Sequence, residues 1–145
     1  MIDLLIAGAG PAGLATALYA AKAGLEVEVL DPRLGTVDEQ TLGKPIDKAC
    51  GEGLMPGATA ALRALGVHPA GREFRGIEYL SAGHTARAPF RSGNGLGARR
   101  TDLHAALMTA VLAAGVSVSA EAVDQVGQDD DGVSAGARRA RYLVA

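Results

Sequence analysis

The amino-acid sequence predicts an α/β fold in which helices alternate with the strands of a parallel sheet. An uninterrupted apolar run over residues 4–7 leads into the glycine-rich segment 8–13. A segment of small residues follows, and a second strand-like segment ends at Leu30, directly before Asp31. A strand, a helix and a strand in this order form a right-handed crossover unit, so the two strands are expected to be parallel.

The first unit contains three predicted elements. The first strand covers residues 2–7 and is continuously apolar after Asp3, as expected for a parallel strand that is covered on both faces. The helix covers residues 11–23 and ends at Gly24, the residue type that most often terminates helices. The second strand covers residues 26–30, in which charged and apolar side chains alternate.

The glycine-rich segment has the pattern of a turn that receives a diphosphate. Gly8 allows a tight turn, Gly10 lets a pyrophosphate approach the backbone, and Gly13 lets the helix pack closely against the strand. Pro11 has the φ angle of a first helical residue and lacks an N–H that the helix does not use there. The free N–H groups and the dipole of the helix favour an anion at this end. The sequence therefore predicts a Rossmann-like dinucleotide-binding domain.

Asp31 follows the second strand, eighteen residues after Gly13. A carboxylate at this place accepts hydrogen bonds from both hydroxyls of the adenine ribose and repels a 2′-phosphate. FAD or NAD is therefore favoured over NADP. Arg33 argues slightly the other way, because an arginine can accommodate a 2′-phosphate, and a surface position for Arg33 is an equally good interpretation.

Residues 32–53 show no helical or strand periodicity and contain five glycines and prolines after Pro32. A loop of this length within a compact domain is usually functional or disordered. An ordinary NAD-binding dehydrogenase domain would enter its next helix sooner, so this excursion argues against that class.

The remaining predicted elements are short, and the two helices among them end at Gly66 and Gly115. They are a helix over residues 55–65, a hairpin of strands 73–81 and 84–90, a glycine-rich link over 91–97, a helix over 101–114 and a strand over 116–119. From residue 121 the pattern becomes a β-meander, with an acidic turn at 129–132 and strands at 133–135 and 140–144. A small inserted hairpin and a meander thus accompany the parallel sheet.

Composition excludes several functions. The formal net charge of −2 gives no reason to expect nucleic acid as a partner. Cys50 is the only cysteine, so no internal disulfide is expected, and the expected compartment is a reducing cytoplasm. The three histidines are scattered, so no metal site is expected. The uncharged residues 4–21 are long enough for a membrane span, but glycines and a proline interrupt them and Asp3 precedes them. We therefore expect no integral membrane segment.

Four features, in this order, make the chain resemble the FAD-dependent oxidoreductases of the p-hydroxybenzoate hydroxylase type. This family includes aromatic-ring monooxygenases and geranylgeranyl reductases. The features are the glycine-rich segment Gly8-Ala-Gly-Pro-Ala-Gly13, the pair Asp31 and Arg33, the segment Cys50-Gly-Glu-Gly-Leu54, and Arg100-Thr-Asp-Leu103 followed by Leu107. The segment that begins at Cys50 is most similar to the prenyl-reductase branch.

The resemblance implies a cofactor-binding role for eleven residues. The pyrophosphate would lie on Gly8, Gly10, Pro11, Ala12 and Gly13, and the ribose on Asp31, with Arg33 beside it. Arg100 would reach the cofactor from the start of its helix, which agrees with the bidentate binding of phosphates by arginine. The loop through Cys50 and Gly51 would run beside the flavin, and the backbone near Val123 would touch the adenine.

Several side chains stay open to two interpretations. Cys50 is either a small buried apolar residue or a flavin neighbour, and not a nucleophile. Glu52 is either a proton donor or an exposed loop acid. His104 follows Arg100 in the first helical turn and has no evident chemical partner. No catalytic side chain is predicted.

Members of this family are longer than 145 residues and continue through an Ala-Asp-Gly motif into a substrate-covering sheet. We therefore expect residues 1–145 to be the N-terminal FAD-binding part, truncated before that Asp-Gly motif and the substrate domain. The expected parent is an NAD(P)H-dependent monooxygenase acting on a small aromatic or isoprenoid compound. The alternatives are a prenyl (geranylgeranyl-type) reductase and a non-enzymatic nucleotide-binding module. The fragment alone is expected to be inactive.

Overall fold

A computed structural model describes residues 1–35 and 45–145. The helices are α1 (Pro11–Lys22), α2 (Pro56–Ala64) and α3 (Arg100–Ala113). The strands are β1 (Ile2–Ala7), β2 (Val27–Leu30), β3 (Gly53–Leu54), β4 (Arg72–Phe74), β5 (Gly76–Ser81), β6 (His84–Pro89), β7 (Gly95–Gly97), β8 (Ser117–Ser119), β9 (Val126–Asp129), β10 (Gly132–Ala135) and β11 (Arg138–Val144). Across these two ranges, no helix has both the length and the apolar character that crossing a membrane requires.

The main sheet has six strands in the order β8-β2-β1-β11-β10-β9. β1 pairs in parallel with β2 on one side and with β11 on the other, and β2 pairs in parallel with β8. The remaining pairs, β11 with β10 and β10 with β9, are antiparallel and form the meander. The predicted combination of a parallel sheet with a β-meander is confirmed.

The apolar run of β1 is buried on both faces of this sheet. Leu4 and Ile6 face the larger core, in which α1 and α3 pack on the sheet through residues such as Leu14 and Met108. Leu5 points the other way, because successive strand residues alternate, and packs in the smaller cluster of the meander side. The two faces explain why β1 carries no polar side chain after Asp3.

A three-stranded sheet of order β3-β7-β4 lies outside the main sheet, and the sequence did not predict it. Residues 91–97 were expected to be only a link, yet they contain β7. A side chain at Gly95 would meet the ring of Phe74, since a Cβ there would lie 2.4 Å from Phe74 Cζ. The glycines that indicated a loop are thus needed for close packing of a strand.

The segment expected to be one strand over residues 73–81 is divided between two sheets. β4 ends at Phe74, whose ring lies 5.4 Å from that of Phe90, and β5 begins at Gly76 in a separate hairpin with β6. Arg75 stands between them, and its carbonyl accepts the Phe90 N–H at 2.8 Å. The predicted hairpin itself is present, with positive φ angles at Ala82 and Gly83 as in a type I′ turn. Other predicted elements appear with ends shifted by one or two residues.

Candidate cofactor site

The loop between β1 and α1 is a tight turn that glycine alone permits. Gly8 has a φ of 120°, and its N–H donates to the Leu30 carbonyl at 2.7 Å, which ties the loop to the end of β2. A Cβ at Gly13 would lie 2.0 Å from the Gly8 carbonyl oxygen and 3.3 Å from Ile6 Cγ2. Helix α1 therefore approaches β1 more closely than any side chain at position 13 allows.

The N-terminus of α1 presents unpaired backbone donors. Gly10 is the N-cap, Pro11 is the first helical residue, and no side chain in the described part of the protein caps this end. The first intrahelical bond runs from the Leu14 N–H to the Gly10 carbonyl at 2.9 Å. The N–H groups of Ala12 and Gly13 therefore keep no partner within the helix, and they point toward the end that attracts anions.

Asp31 lies at the end of β2 and is almost fully buried. One carboxylate oxygen accepts the Ala9 N–H at 2.9 Å and an Arg33 Nη2 hydrogen at 2.6 Å. The other accepts the Arg33 backbone N–H at 3.0 Å and Nε at 2.9 Å. The bonds from the Arg33 side chain hold the pKa of Asp31 down at about 2, against the opposing effect of burial. Asp31 is therefore an anion with four donors around it.

The arrangement at Asp31 differs from the expected one in a specific way. The carboxylate was expected to be open to two ribose hydroxyls, and here its acceptor positions are filled by Ala9 and Arg33. The Arg33 side chain is 55% exposed, so its guanidinium can exchange these bonds for bonds to water or to a ligand. Binding of a ribose at Asp31 thus requires the Arg33 side chain to move.

A groove of about 290 Å³ opens beside these residues, at the carboxyl ends of β1 and β2. Its lining comprises Ala7, Gly8, Leu30, Asp31, Pro32, Arg33, Ala122 and Val123. This is the end of a parallel sheet at which open α/β folds bind their ligands. Gly8, Asp31, Arg33 and Val123, which the sequence analysis assigned separately, thus share one groove.

Arg100, the first residue of α3, lies against the glycine-rich loop. Its Nη2 atom would be 3.8 Å from a Cβ at Gly10, and its Nε atom is buried without a hydrogen-bond partner among the described residues. The neighbouring Arg99 is exposed. The guanidinium of Arg100 therefore lies close to Gly10 at the N-terminus of α1, and its Nε has no partner among the described residues.

The loop that contains Cys50 and Gly51 is docked onto the start of α3 by Glu52. The Glu52 carboxylate accepts the Arg100 N–H at 3.1 Å, its carbonyl accepts the Ala98 N–H at 2.9 Å, and its own N–H donates to Cys50 Sγ at 3.3 Å. Glu52 adopts a φ of 52°, which is strained for a residue with a side chain. Glu52 thus occupies the N-terminus of α3, a role that neither sequence interpretation included. Cys50 is exposed, so the buried interpretation of this residue is wrong.

His104 is the residue that the sequence analysis missed. It is 1% exposed, and its Nε2 lies 2.9 Å from the Ala9 carbonyl oxygen. Burial lowers the pKa of His104, although the bond to Ala9 acts in the opposite direction. The signal was its spacing, since a residue four positions after Arg100 lies on the same helix face and between the buried Leu103 and Leu107.

The part of the chain that the structure describes holds no group of three metal-ligating side chains. The predicted site residues converge instead on the loop between β1 and α1, where Gly8, Gly10, Pro11, Ala12, Gly13, Asp31, Arg33, Arg100 and Val123 surround one edge of the sheet. Cys50 and Gly51 are linked to this edge through Glu52. Residues 36–44 of the predicted excursion lie outside the described residues.

The fold is that of flavin-dependent monooxygenases and halogenases. The chain superposes on p-nitrophenol 4-monooxygenase PnpA from Pseudomonas putida with a TM-score of 0.76 and 23% identity, over 99% of this chain and 40% of that one. The TM-score is 0.75 for the halogenase PltM, with 20% identity over 98% of this chain and 34% of PltM. Identities this low show a common fold. No protein-family model matches the sequence.

A closer sequence match is found to menaquinone reductases. The protein of that name from Mycolicibacterium smegmatis is 46% identical over 65 residues, and its counterpart from Mycobacterium tuberculosis is equally similar. These 65 residues are 45% of this chain and 14% of each relative. The match therefore covers a small part of the curated relatives, and the chain spans well under half of the solved structures.

Proposed function

We propose that the chain is the FAD-binding part of a flavin-dependent oxidoreductase. The observation that carries this proposal is the pairing of a cradle that only glycine permits with an unpartnered arginine. Within residues 1–35 and 45–145, the Ala12 and Gly13 N–H groups and the buried Nε of Arg100 have no hydrogen-bond partner. An anion between α1 and α3 would satisfy both, and the diphosphate of FAD is an anion of suitable charge.

Each part of the cofactor has a group that fits it. The first turn of α1 and Arg100 would hold the diphosphate, and Asp31 with Arg33 would hold the ribose after exchange of their mutual hydrogen bonds. The groove beside Val123 would take the adenine. The loop of Cys50 and Gly51, fixed by Glu52, would border the isoalloxazine. FAD, once bound, supplies the redox chemistry, and the protein orients it and excludes water.

The parent enzyme that we propose is an NAD(P)H-dependent monooxygenase acting on a small organic compound. Its support is the fold, which PnpA and PqsL share, the latter described as a probable FAD-dependent monooxygenase from Pseudomonas aeruginosa. The chain spans 40% and 41% of these two proteins. We therefore also propose that residues 1–145 correspond to an N-terminal portion, and that elements reading the substrate lie outside it. Cys50, the only cysteine, makes a reducing cytoplasm the expected compartment.

A flavin-dependent reductase is the second candidate. The observation that favours it is the 46% identity to menaquinone reductases over 65 residues, which is well above the identities to the monooxygenases. The segment that begins at Cys50 also resembles prenyl reductases. Reduction and hydroxylation use the same cofactor site, so this choice leaves the FAD assignment unchanged.

Titration of the purified chain with FAD, followed by quenching of flavin fluorescence, tests the cofactor assignment. The matched variants are R100Q and R99Q, which each remove one positive charge at the start of α3. Loss of a charge-assisted contact should weaken FAD binding about ten- to a hundredfold in R100Q. R99Q should bind as the wild type does, because Arg99 is exposed. Equal affinities of the two variants, or a wild type that ignores FAD, would contradict the proposal.

The reaction class is tested by oxygen consumption. A longer protein that carries this chain should consume oxygen with NAD(P)H and substrate if it is a monooxygenase. A reductase should consume NAD(P)H, or another donor, and form reduced product under strict anaerobiosis. The 145-residue chain alone should form no product under either condition. Turnover by this chain would contradict the proposal that the elements that recognise the substrate lie outside it.

A further inference from the structure

His104 connects α3 to the glycine-rich loop through a single backbone group. Its Nε2 lies 2.9 Å from the Ala9 carbonyl oxygen, across 95 residues of sequence. The N–H of the same residue, Ala9, is bound by the Asp31 carboxylate at 2.9 Å. Both backbone polar groups of Ala9 are therefore held by buried side chains from two other elements. Ala9 itself is fully buried.

The chemistry of the bond fixes which nitrogen carries the proton. A carbonyl oxygen only accepts, so Nε2 must donate. The other ring nitrogen, Nδ1, is buried without a hydrogen-bond partner in the described residues. A proton on Nδ1 would add an unpaired N–H and a positive charge there, which the guanidinium groups of Arg100 and Arg33 disfavour and the carboxylate of Asp31 favours. The arrangement favours the neutral ring with hydrogen on Nε2.

Without its bond to His104, the Ala9 carbonyl could accept a hydrogen bond from a backbone N–H that the anion site needs. If α1 extended one residue further, the Gly13 N–H would donate to the Ala9 carbonyl, four positions earlier. The first intrahelical bond is instead that of Leu14 to Gly10, and the Ala9 carbonyl points to His104. The extended Gly10 and the bond to His104 thus hold the Ala9 carbonyl outside the helix, and the Gly13 N–H has no partner among the described residues.

We propose that His104 is a positioning residue for the diphosphate, which holds the Ala9 carbonyl away from α1 and so leaves the Gly13 N–H available to a phosphate oxygen. This inference rests on the proposed function, since it concerns the same anion site. It extends that proposal to a buried side chain that touches the backbone of the site and none of the predicted ligand groups. Arg100, one helical turn earlier on α3, contributes a positive charge to the anion site, and His104 orients the Ala9 carbonyl.

Two variants separate positioning from general packing. In H104L the ring is replaced by an apolar side chain that leaves the Ala9 carbonyl unpaired. In H104Q an amide N–H can reach the position of Nε2 and cannot become charged. Affinities for ADP and for adenosine, measured by NMR titration of the purified chain, distinguish the two roles, because only ADP carries a diphosphate.

The expected result is a loss specific to phosphate. H104L should bind ADP about tenfold more weakly than the wild type does, while its affinity for adenosine changes less than about twofold. H104Q should recover most of the ADP affinity. Equal losses for ADP and adenosine in H104L would overturn the inference and indicate a packing role only. Unchanged ADP affinity in H104L would overturn it as well.

A measurement on the wild-type chain covers the case in which H104L does not fold. The ¹⁵N shifts of the His104 ring should report hydrogen on Nε2 and a bare Nδ1, and the Gly13 amide should shift when ADP is added. A ring with hydrogen on Nδ1 at neutral pH would overturn the inference. Wild-type chain that binds neither FAD nor ADP would instead overturn the proposed function, without reference to any variant, and this inference with it.

Discussion

The carboxylate of Asp31 accepts the backbone N–H of Ala9 at 2.9 Å and so joins the end of β2 to the glycine-rich loop after β1. The acid that sequence motifs assign to ribose binding is thus also a structural brace. It has low exposure, and its remaining acceptor positions are filled by Arg33. Ligand binding and loop geometry are therefore coupled at one side chain.

Because the Asp31 carboxylate is bonded only in the folded protein, the free energy of unfolding depends on pH. The pKa of Asp31 is about 2 in the folded protein against 3.8 ordinarily, so the ionised carboxylate stabilises the fold above about pH 4. This contribution should be lost as the pH falls from about 4 to about 2. Because the Arg33 guanidinium is half exposed, water weakens the pair, and we expect about 1 to 2 kcal/mol.

The variant D31N tests this dependence by urea unfolding at several pH values. At pH 7 it should be less stable than the wild type, and the difference should shrink between about pH 4 and pH 2. D130N is the matched control, since it also removes one carboxylate and Asp130 is exposed in the meander turn. A difference for D31N that stays constant over this range would refute the assignment.

A methyl group at Gly13 should destabilise the fold. The Cβ in G13A would lie 2.0 Å from the Gly8 carbonyl oxygen, a backbone atom that moves only with the loop. We expect a loss of about 3 kcal/mol or more in the free energy of unfolding. G57A is the control, because a Cβ at Gly57 in α2 meets nothing within 4 Å and alanine favours a helix. Equal stabilities of the two variants would show that α1 does not pack as described.

A methyl group at Gly10 should affect the ligand and leave the fold unchanged. The nearest atom to that Cβ is Arg100 Nη2 at an ordinary 3.8 Å, and the φ of Gly10 is −70°. The stability of G10A should thus stay within about 0.5 kcal/mol of the wild type. FAD affinity should fall by about tenfold or more, since the methyl group occupies the approach to the backbone. Undiminished FAD binding by G10A would place the diphosphate elsewhere.

Glu52 has a strained positive φ, and its carboxylate accepts the Arg100 N–H. Two substitutions distinguish the energy of the strain from that of the hydrogen bond. In E52A the bond to the Arg100 N–H is lost and the positive φ remains, so we expect a loss of about 1 kcal/mol. In E52G the same bond is lost, but glycine relieves roughly 1 kcal/mol of strain at this φ. Unfolding by urea should therefore rank E52G above E52A, and the reverse order would exclude strain at this position.

Patterns within a few residues were enough to predict the elements whose structure is determined by neighbouring residues. The apolar run of β1, the glycines and the helix ends at Gly24 and Gly115 each determine structure within a few residues. The strand β7 was missed because its glycines serve packing against Phe74, which is distant in sequence. The division of β4 from β5 at Arg75 likewise depends on partners that periodicity does not identify.

The residues of the candidate site could be predicted from the sequence, but the hydrogen bonds among them could not. The resemblance named Asp31, Arg33 and Arg100, and the structure brings them to one edge of the sheet. That Arg33 fills the carboxylate of Asp31 depends on the conformation of the Arg33 side chain, which the residue types alone do not specify. The partner of His104 was not predicted, because it is a main-chain carbonyl, a group that every residue carries.

The pairing of β1 with β11 has a consequence for synthesis of the chain. Ile2 lies opposite Ala140 and Ile6 opposite Val144, so during synthesis β1 waits for residues 138–144 before this pairing can form. At ordinary translation speeds this interval is on the order of ten seconds. Throughout it the nascent chain carries an apolar strand with one unpaired edge, the feature on which strand-to-strand aggregation begins. Slow elongation should therefore lower the soluble yield of this protein, and chaperones that cover apolar segments should restore it.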